Sequence, residues 1–573
     1  MTRDVNVGLA RSLVDEWARA GVTTAVLSPG SRSAPLALAL AADDRIHLHV
    51  ILDERSASFF ALGAAKASGL PSVVLTTSGT AAANVHPAVT EAHHSRVPLL
   101  VCTADRPPEL RDTGAGQSVD QIKLFGDAVS WFCEVGAPED REGAGAYWRS
   151  VAARAFTTAT GPPAGPVHLN LAFREPLVPT GAEPAGVEGR AGGAPWVISA
   201  PRHPHVRPGE VARLVDAVSR SKRGVLVAGW GAGVDPGVAG QFAAAAGWPL
   251  FADPLSGARV GPQAISTYDS LLRAPAFADT HRPDLVVQVG APLTSKAATA
   301  WLDESVARVL VDPDAAWLDP QRAVSQRLTS DASALLAAAA GSLHGDDGWL
   351  PEWLAAEASA RKAIDDLVDS WDAPFEGRVA RDLVAGLADG ATLVVGSSMP
   401  VRDVEGFGAP RAYLRFLANR GVNGIDGFVS TFLGVASVND GPVVALTGDL
   451  AFLHDSGGLL DAARRDLDAV FVVLDNAGGG VFSFLPQAQL PEHFETLFGT
   501  PHHVDLVALG GVHGLGARRV ERAGDIVPAV ESALREGGVH VVVVPTDRAD
   551  NVARHQQVWD AVAAALGARL EQR

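Results

Sequence analysis

The residues with the clearest chemistry lie between Pro442 and Leu485. A continuous apolar run over 442–446 ends in Thr447-Gly448-Asp449. A second, over 470–474, ends in Asp475-Asn476-Ala477-Gly478-Gly479-Gly480. Both runs are short and rich in β-branched residues, the pattern of parallel strands covered on both faces. A helix between them completes a βαβ unit and sets Asp449 and Asn476 at the carboxyl edge of one sheet, where ligands bind in open α/β folds. One carboxylate, one amide oxygen and the carbonyls of a glycine-rich turn make a sparse all-oxygen set. Such a set suits Mg²⁺, which prefers octahedral oxygen ligands at about 2.0–2.1 Å and completes its shell with phosphate and water. The helix that begins after Gly448 would add its N-terminus to the grip on a diphosphate. The same residue types also fit a plainer role, an Asp capping a helix and an Asn in a turn.

These residues need elements to hold them, and the sequence supplies three sets. Over 1–180, an amphipathic helix (5–19) leads into a strand (24–27) and the turn Ser28-Pro29-Gly30-Ser31-Arg32-Ser33, then a helix around 36–40. Further strands read at 47–52, 72–76 and 99–103. Directly after the second of these strands, Asp53-Glu54-Arg55 opens a helix, a place where Glu54 serves the helix dipole whatever else it does. A stretch dense in Pro, Gly and Ala (181–209) reads as a linker. A central α/β domain (210–345) carries strands at 224–228, 249–252, 285–289 and 307–311. Its Gly229-Trp230-Gly231-Ala232-Gly233 lacks the third glycine of a dinucleotide fingerprint. Lys296 lies just past a strand end, within reach of an anion or simply solvated. A helical connection (346–375) leads into the third domain (376–573). There a strand at 392–395 runs into Gly396-Ser397-Ser398-Met399, and a helix at 429–436 precedes the two strand ends described above. Alternating strands and helices predict an α/β fold of three doubly wound parallel-sheet domains.

Composition narrows the function. With 573 residues and 47% hydrophobic content the chain is globular with several cores. It has no apolar run of about 18 residues or more, so no membrane span is expected. Its first residues are charged where a signal peptide needs an apolar core. Cys102 and Cys133 are too few for a disulfide framework or a cysteine metal site, and the chain reads as cytoplasmic. A net charge of −18 without a basic stripe argues against nucleic acid. Any anionic substrate must then be met by local cations. Arg32, Arg106, Arg402 and Arg420 stand at strand ends or in loops, and an Arg fork grips carboxylates bidentately.

Gly448-Asp449 followed 27 positions on by Asn476 resembles the diphosphate-binding motif of the thiamine-diphosphate enzymes. Leu450 stands where many members have Gly, and Asp475 where many have Asn. The resemblance implies thiamine diphosphate anchored through Mg²⁺, with Mn²⁺ as a possible substitute, on Asp449, Asn476 and the Gly478 carbonyl. Gly448, Leu450 and Gly479 would line the same cofactor. It also implies that Glu54 is the catalytic carboxylate, hydrogen-bonded to N1′ of the aminopyrimidine so as to favour the imino tautomer. The first domain would bind the pyrimidine and the third the diphosphate, in a homodimer or homotetramer with active sites at subunit interfaces.

Four further segments recur together in one branch of that family. They are Ser28-Pro29-Gly30-Ser31-Arg32-Ser33-Ala34-Pro35, Ala104-Asp105-Arg106-Pro107-Pro108-Glu109-Leu110, Asn419-Arg420-Gly421 with Gly424-Ile425-Asp426-Gly427, and Gly479-Gly480-Val481-Phe482-Ser483. The sequence is similar to the branch that makes 2-succinyl-5-enolpyruvyl-6-hydroxy-3-cyclohexene-1-carboxylate in menaquinone biosynthesis. The likeness implies decarboxylation of 2-oxoglutarate and conjugate addition of the resulting four-carbon carbanion to isochorismate. It implies substrate contacts from Ser31, Arg32, Arg106, Gln117, Lys296, Ser398, Arg402 and Arg420. Gly116 stands where some members have Asn. Ile425 would prop the bent cofactor, with Val481 and Phe482 as an apolar wall near its thiazolium; core packing is the alternative for these three. Two other readings stay open, an acetolactate synthase or simple 2-oxoacid decarboxylase of the same family, and a non-catalytic relative that keeps the fold.

Overall fold

Short apolar strands alternate with helices along the chain, and in the computed structural model they assemble into three parallel sheets. The structure describes residues 4–186, 188–199, 205–303, 307–345 and 348–571. The chain divides into two compact units. One holds Met1–Arg202 with Asn419–Asp440 and Ala451–Leu467; the other holds His203–Ala418, Gly441–Leu450 and Asp468–Arg573.

In the first unit β1 (Thr24–Leu27), β2 (His47–Val50), β3 (Ser72–Thr76), β4 (Leu99–Asp105), β5 (Trp131–Glu134) and β6 (Pro166–Ala172) form a sheet of order β2-β1-β3-β4-β6-β5. The order reverses between β1 and β3, so the loops that follow them face the crevice where such sheets bind ligands. The helix Glu54–Ser68 starts on the Asp53 side chain, which accepts from the Ser56 amide, and stops at left-handed Gly69. It packs against the helix Phe428–Ala436 backbone to backbone. A Cβ on Gly63 would lie 2.0 Å from the Thr431 carbonyl oxygen, and one on Gly434 1.9 Å from that of Phe60. The stretch beyond β6 returns along the first helix, Val5–Ala20: the Asp4 amide donates to the Glu183 carbonyl and the Trp196 amide to Glu16.

The second unit carries two sheets. β7 (Gly224–Ala228), β8 (Leu250–Ala252), β9 (Leu285–Val289), β10 (Arg308–Val311) and β11 (Gln326–Leu328) take the order β11-β10-β9-β7-β8. Its reversal point, between β7 and β9, is filled by backbone: a Cβ on Gly229 would sit 1.6 Å from the Ala291 carbonyl oxygen. Gly229 therefore serves loop-on-loop packing. The remaining strands are β12 (Thr392–Val395), β13 (Arg415–Leu417), β14 (Val443–Gly448), β15 (Ala469–Asp475), β16 (Gly516–Arg519) and β17 (Val539–Pro545), in order β13-β12-β14-β15-β17-β16. The helix Trp349–Asp369 buries Trp349, Trp353, Ala356, Ala360, Ile364 and Val368 at helical spacing, and Val558, Val562 and Leu566 of the C-terminal helix join the same core. The stretch that links two domains in the sequence is thus also a core element.

Several boundaries move. The strand expected at 47–52 ends at Val50, because Leu52 is 66% exposed and Asp53 already caps the next helix. The strand expected at 99–103 continues to Asp105, held by pairing with β6. The helix after Gly448 spans only Asp449–His454, and the Leu450 amide is already taken by Asp449 Oδ1 at 2.6 Å. Strands β5, β6, β11, β13, β16 and β17 were not among those the apolar runs singled out. Among the described residues no helix is long and apolar enough to cross a membrane.

The second unit also buries a carboxyl group that keeps its proton above the ordinary carboxylate range. Burial, then the Asp253 carboxylate, push Glu405 up to about 8, against the hydrogen bond from Tyr268 Oη at 2.5 Å. Between its ordinary value and about 8 the folded chain holds a proton that the unfolded chain has released, so this group makes stability fall as pH rises. Glu405→Gln removes that dependence. From pH 5 to pH 9 the unfolding free energy of the variant should gain on the wild type by on the order of 3–4 kcal/mol. Thermal and urea unfolding at the two pH values read it; parallel pH profiles for both proteins would contradict it.

Candidate active site

The sheet edge of the second unit gathers the oxygen set. β14 pairs in parallel with β15, Thr447 opposite Val473 and Gly448 opposite Leu474, so Asp449 and Asn476 leave the sheet on adjacent strands. Asp449 is 1% exposed. Its Oδ1 accepts from the Leu450 amide and its Oδ2 from the Gly478 amide at 3.0 Å. Burial raises its pKa, while those two amides and His502 pull it back. Asn476 Nδ2 donates to Glu376 Oε1 at 2.9 Å, whereas Asn476 Oδ1 is buried with no hydrogen-bond partner. Gly478 has φ +155°, and a Cβ there would meet the Gly499 carbonyl oxygen at 2.3 Å. The turn is fixed by the Gly479 amide donating to that same carbonyl at 2.7 Å.

An orphaned amide oxygen beside a buried carboxylate, in a glycine turn, is an arrangement a cation could complete. The donor set is hard oxygen, as Mg²⁺ requires. His502 was missed in the sequence. Its Nε2 lies 3.2 Å from Asp449 Oδ2, and Asp449, Asp475 and His502 offer ligand atoms within 4.8 Å of one another. A loop histidine 26 positions beyond Asn476 carries no spacing signal. Val481 and Phe482 lie on the short helix Gly480–Phe484, half-buried, with Phe482 5.7 Å from the Phe498 ring.

In the same unit Ser398 takes φ +78° ahead of the helix Met399–Phe407, and Arg402 donates back to its carbonyl. Asp403, the next residue, is buried against His555 Nε2 at 3.0 Å, which pins this helix to the C-terminal one. Lys296 is exposed at the first position of the helix Lys296–Asp303.

The first unit gathers the remaining residues. Glu54 is half-buried at the first position of its helix, with Asn84 Nδ2 at 3.5 Å from Oε2, and exposed Val50 and Leu52 precede it. Ser31 is exposed. Arg32 is 7% exposed and donates to the Phe173 carbonyl at 2.8 Å, with Glu175 at 3.3 Å. Its pKa is lowered by burial and by the nearby charge of Arg106. Two clustered guanidinium groups are the arrangement a carboxylate would relieve. Arg106 clasps the Gly116 carbonyl with Nε and Nη2 at 3.1 and 3.0 Å, and thereby positions exposed Gln117 at φ +53°.

Two positioning residues have no sequence signal. Gln121 accepts from the Gly79 amide at 3.0 Å. Glu91, fully buried, accepts from the amides of Gly421, Val422 and Asn423 at 2.9, 2.7 and 3.0 Å. That grip shapes the loop bearing Arg420 and Ile425, both half-buried.

Comparison with known proteins finds three domains in the same order. Residues 8–124 match the N-terminal TPP binding domain of thiamine pyrophosphate enzymes, 194–395 their middle domain and 405–544 their C-terminal TPP binding domain. A 2-succinyl-5-enolpyruvyl-6-hydroxy-3-cyclohexene-1-carboxylate synthase of Thermobifida fusca is 47% identical, with 98% of this chain and 99% of the relative covered. The chain belongs to this synthase family. Synthases of the same name from Geobacillus kaustophilus and Myxococcus xanthus are 44% and 43% identical, covering 98% and 99% of this chain and 99% of each relative. A crystal structure assigned to a thiamin diphosphate-dependent enzyme from Mycobacterium smegmatis shares the fold at TM-score 0.71 and 20% identity, over 95% of this chain and all of that one. Membership makes this chain a thiamine-diphosphate enzyme of the synthase family, with the three α/β domains expected.

The turn at Gly478 leaves no room for a side chain. Gly478→Ala should lower stability by about 1–3 kcal/mol, because its Cβ meets a carbonyl, whereas Gly448→Ala finds nothing within 4 Å and should be nearly neutral. Chemical denaturation of both variants checks the contrast.

Proposed function

We propose that the protein decarboxylates 2-oxoglutarate and joins the remaining four-carbon unit to isochorismate, giving 2-succinyl-5-enolpyruvyl-6-hydroxy-3-cyclohexene-1-carboxylate and CO₂ for menaquinone biosynthesis. The observation that carries the reading is the buried, unpartnered Asn476 Oδ1 beside Asp449 in the Gly478 turn. Family membership supplies the reaction.

Asp449, Asn476 Oδ1 and the Gly478 carbonyl would hold Mg²⁺ or Mn²⁺, with Gly448, Leu450 and Gly479 around the cofactor's diphosphate. Thiamine diphosphate, when bound, supplies the electron sink through which a 2-oxoacid loses CO₂. Glu54, at its helix start, holds or accepts a proton at N1′ of the aminopyrimidine. Ile425, Val481 and Phe482 keep the reacting centre dry, where a proton from water would quench the product-forming step. Arg32, Arg106, Arg402 and Arg420, with Ser31, Gln117, Lys296 and Ser398, orient two dianionic substrates. The exposed apolar Val50 and Leu52 beside Glu54 favour a homodimer or homotetramer in which a second copy covers that edge. A cytoplasmic setting suits this chemistry.

The direct experiment mixes protein, thiamine diphosphate, Mg²⁺, 2-oxoglutarate and isochorismate, and follows isochorismate absorbance with CO₂ release. Glu54→Gln should cut turnover about 10²–10⁴-fold yet keep Mg²⁺-dependent cofactor binding by calorimetry. Near-normal turnover would remove Glu54 from the chemistry. Arg402→Ala should raise KM for a dianionic substrate about tenfold or more, the worth of a lost charge-assisted bond. An unchanged KM, with turnover of a small 2-oxoacid, would point instead to a simple decarboxylase.

A further inference from the structure

Asn476 can serve a cation only if its amide presents oxygen rather than nitrogen. The glycine turn does not decide which, since the two ends of an amide are nearly the same size. Glu376 does. It is 1% exposed at the start of the helix Glu376–Gly386, and its Oε1 accepts from both Asn476 Nδ2 at 2.9 Å and Thr546 Oγ1 at 3.1 Å. Thr546 is itself fixed, its amide donating to the Asp475 carbonyl at 2.9 Å. A side chain at position 480 would strike the amide, since a Cβ on Gly480 would lie 2.6 Å from Asn476 Nδ2. Turning the amide over would set its oxygen against a carboxylate oxygen and leave the nitrogen facing the cation.

We infer that Glu376 is a positioning residue for the metal, holding Asn476 Nδ2 so that Oδ1 faces the ion. This rests on the reading of the Asp449–Asn476–Gly478 set as the diphosphate metal site. Residues behind a metal ligand commonly change affinity about 10–100-fold when replaced. The role is one of orientation, so it makes a prediction that bulk or stability alone does not.

The test titrates Mg²⁺ at fixed thiamine diphosphate, reading binding by calorimetry and by intrinsic fluorescence, in a double-mutant cycle. In the wild-type background, Glu376→Gln accepts or donates equally well and ceases to choose the amide's orientation. Half-saturating Mg²⁺ should rise about tenfold or more. In the Asn476→Asp background no amide remains to orient, and a carboxylate at Glu376 repels its neighbour. There Glu376→Gln should lower half-saturating Mg²⁺, reversing the sign. An equal shift in both backgrounds, or none in the wild type, overturns the inference while leaving the metal site intact. Absence of any Mg²⁺ dependence in the wild-type chain overturns the site reading and this inference with it.

Discussion

The structure of the candidate site depends on one pairing, that of two parallel strands whose last residues are Gly448 and Asp475. Parallel register leaves both chains emerging at the same edge, so a carboxylate and an amide 27 positions apart become neighbours. Backbone amides then fix the carboxylate, and the glycine turn closes against the Gly499 carbonyl. What is left over is an amide oxygen with nothing to bond. Polar groups buried without partners are costly, and this one is the observation on which the proposed cation site rests.

Each element around the site serves that constraint or the equivalent one in the first unit. The oxygen set requires a sheet buried on both faces, and the apolar content of β14, β15 and β17 provides it. The Asp403–His555 pair fixes the helix that carries Arg402, with the imidazole enclosed by Phe375, Phe407 and Phe484. In the first unit, Glu91 uses both carboxylate oxygens to shape a loop from the third-domain sequence. Close glycine contacts bind the helix that follows to the helix beginning at Glu54. Buried carboxylates thus do two kinds of work. Some, such as Asp449, face a site; others, such as Glu91 and Glu376, hold backbone or amide groups in place.

The middle sheet shows the contrast. Its order also reverses, between β7 and β9, and there a Cβ on Gly229 would meet the Ala291 carbonyl oxygen at 1.6 Å. A reversal point in a parallel sheet can thus be taken up by a packing contact, and fold alone does not assign function.

The sequence by itself determined the fold class and the positions of the principal strands, because β-branched apolar runs bounded by glycine leave few alternatives. It also marked Asp449, Asn476, Gly478 and Glu54 as the residues to weigh, since their types and places after strand ends limit the chemistry open to them. It carried no trace of His502, Gln121, Glu91 or Glu376, whose partners lie far away in the chain and whose types alone are ordinary. It read β14 and β15 but passed over β17, although Val539–Pro545 is as apolar as either. Which amide atom faces a cation, which arginine is held by Phe173 and which glycine touches a carbonyl are questions of distance. Tertiary packing sets those distances, and spacing along the chain does not.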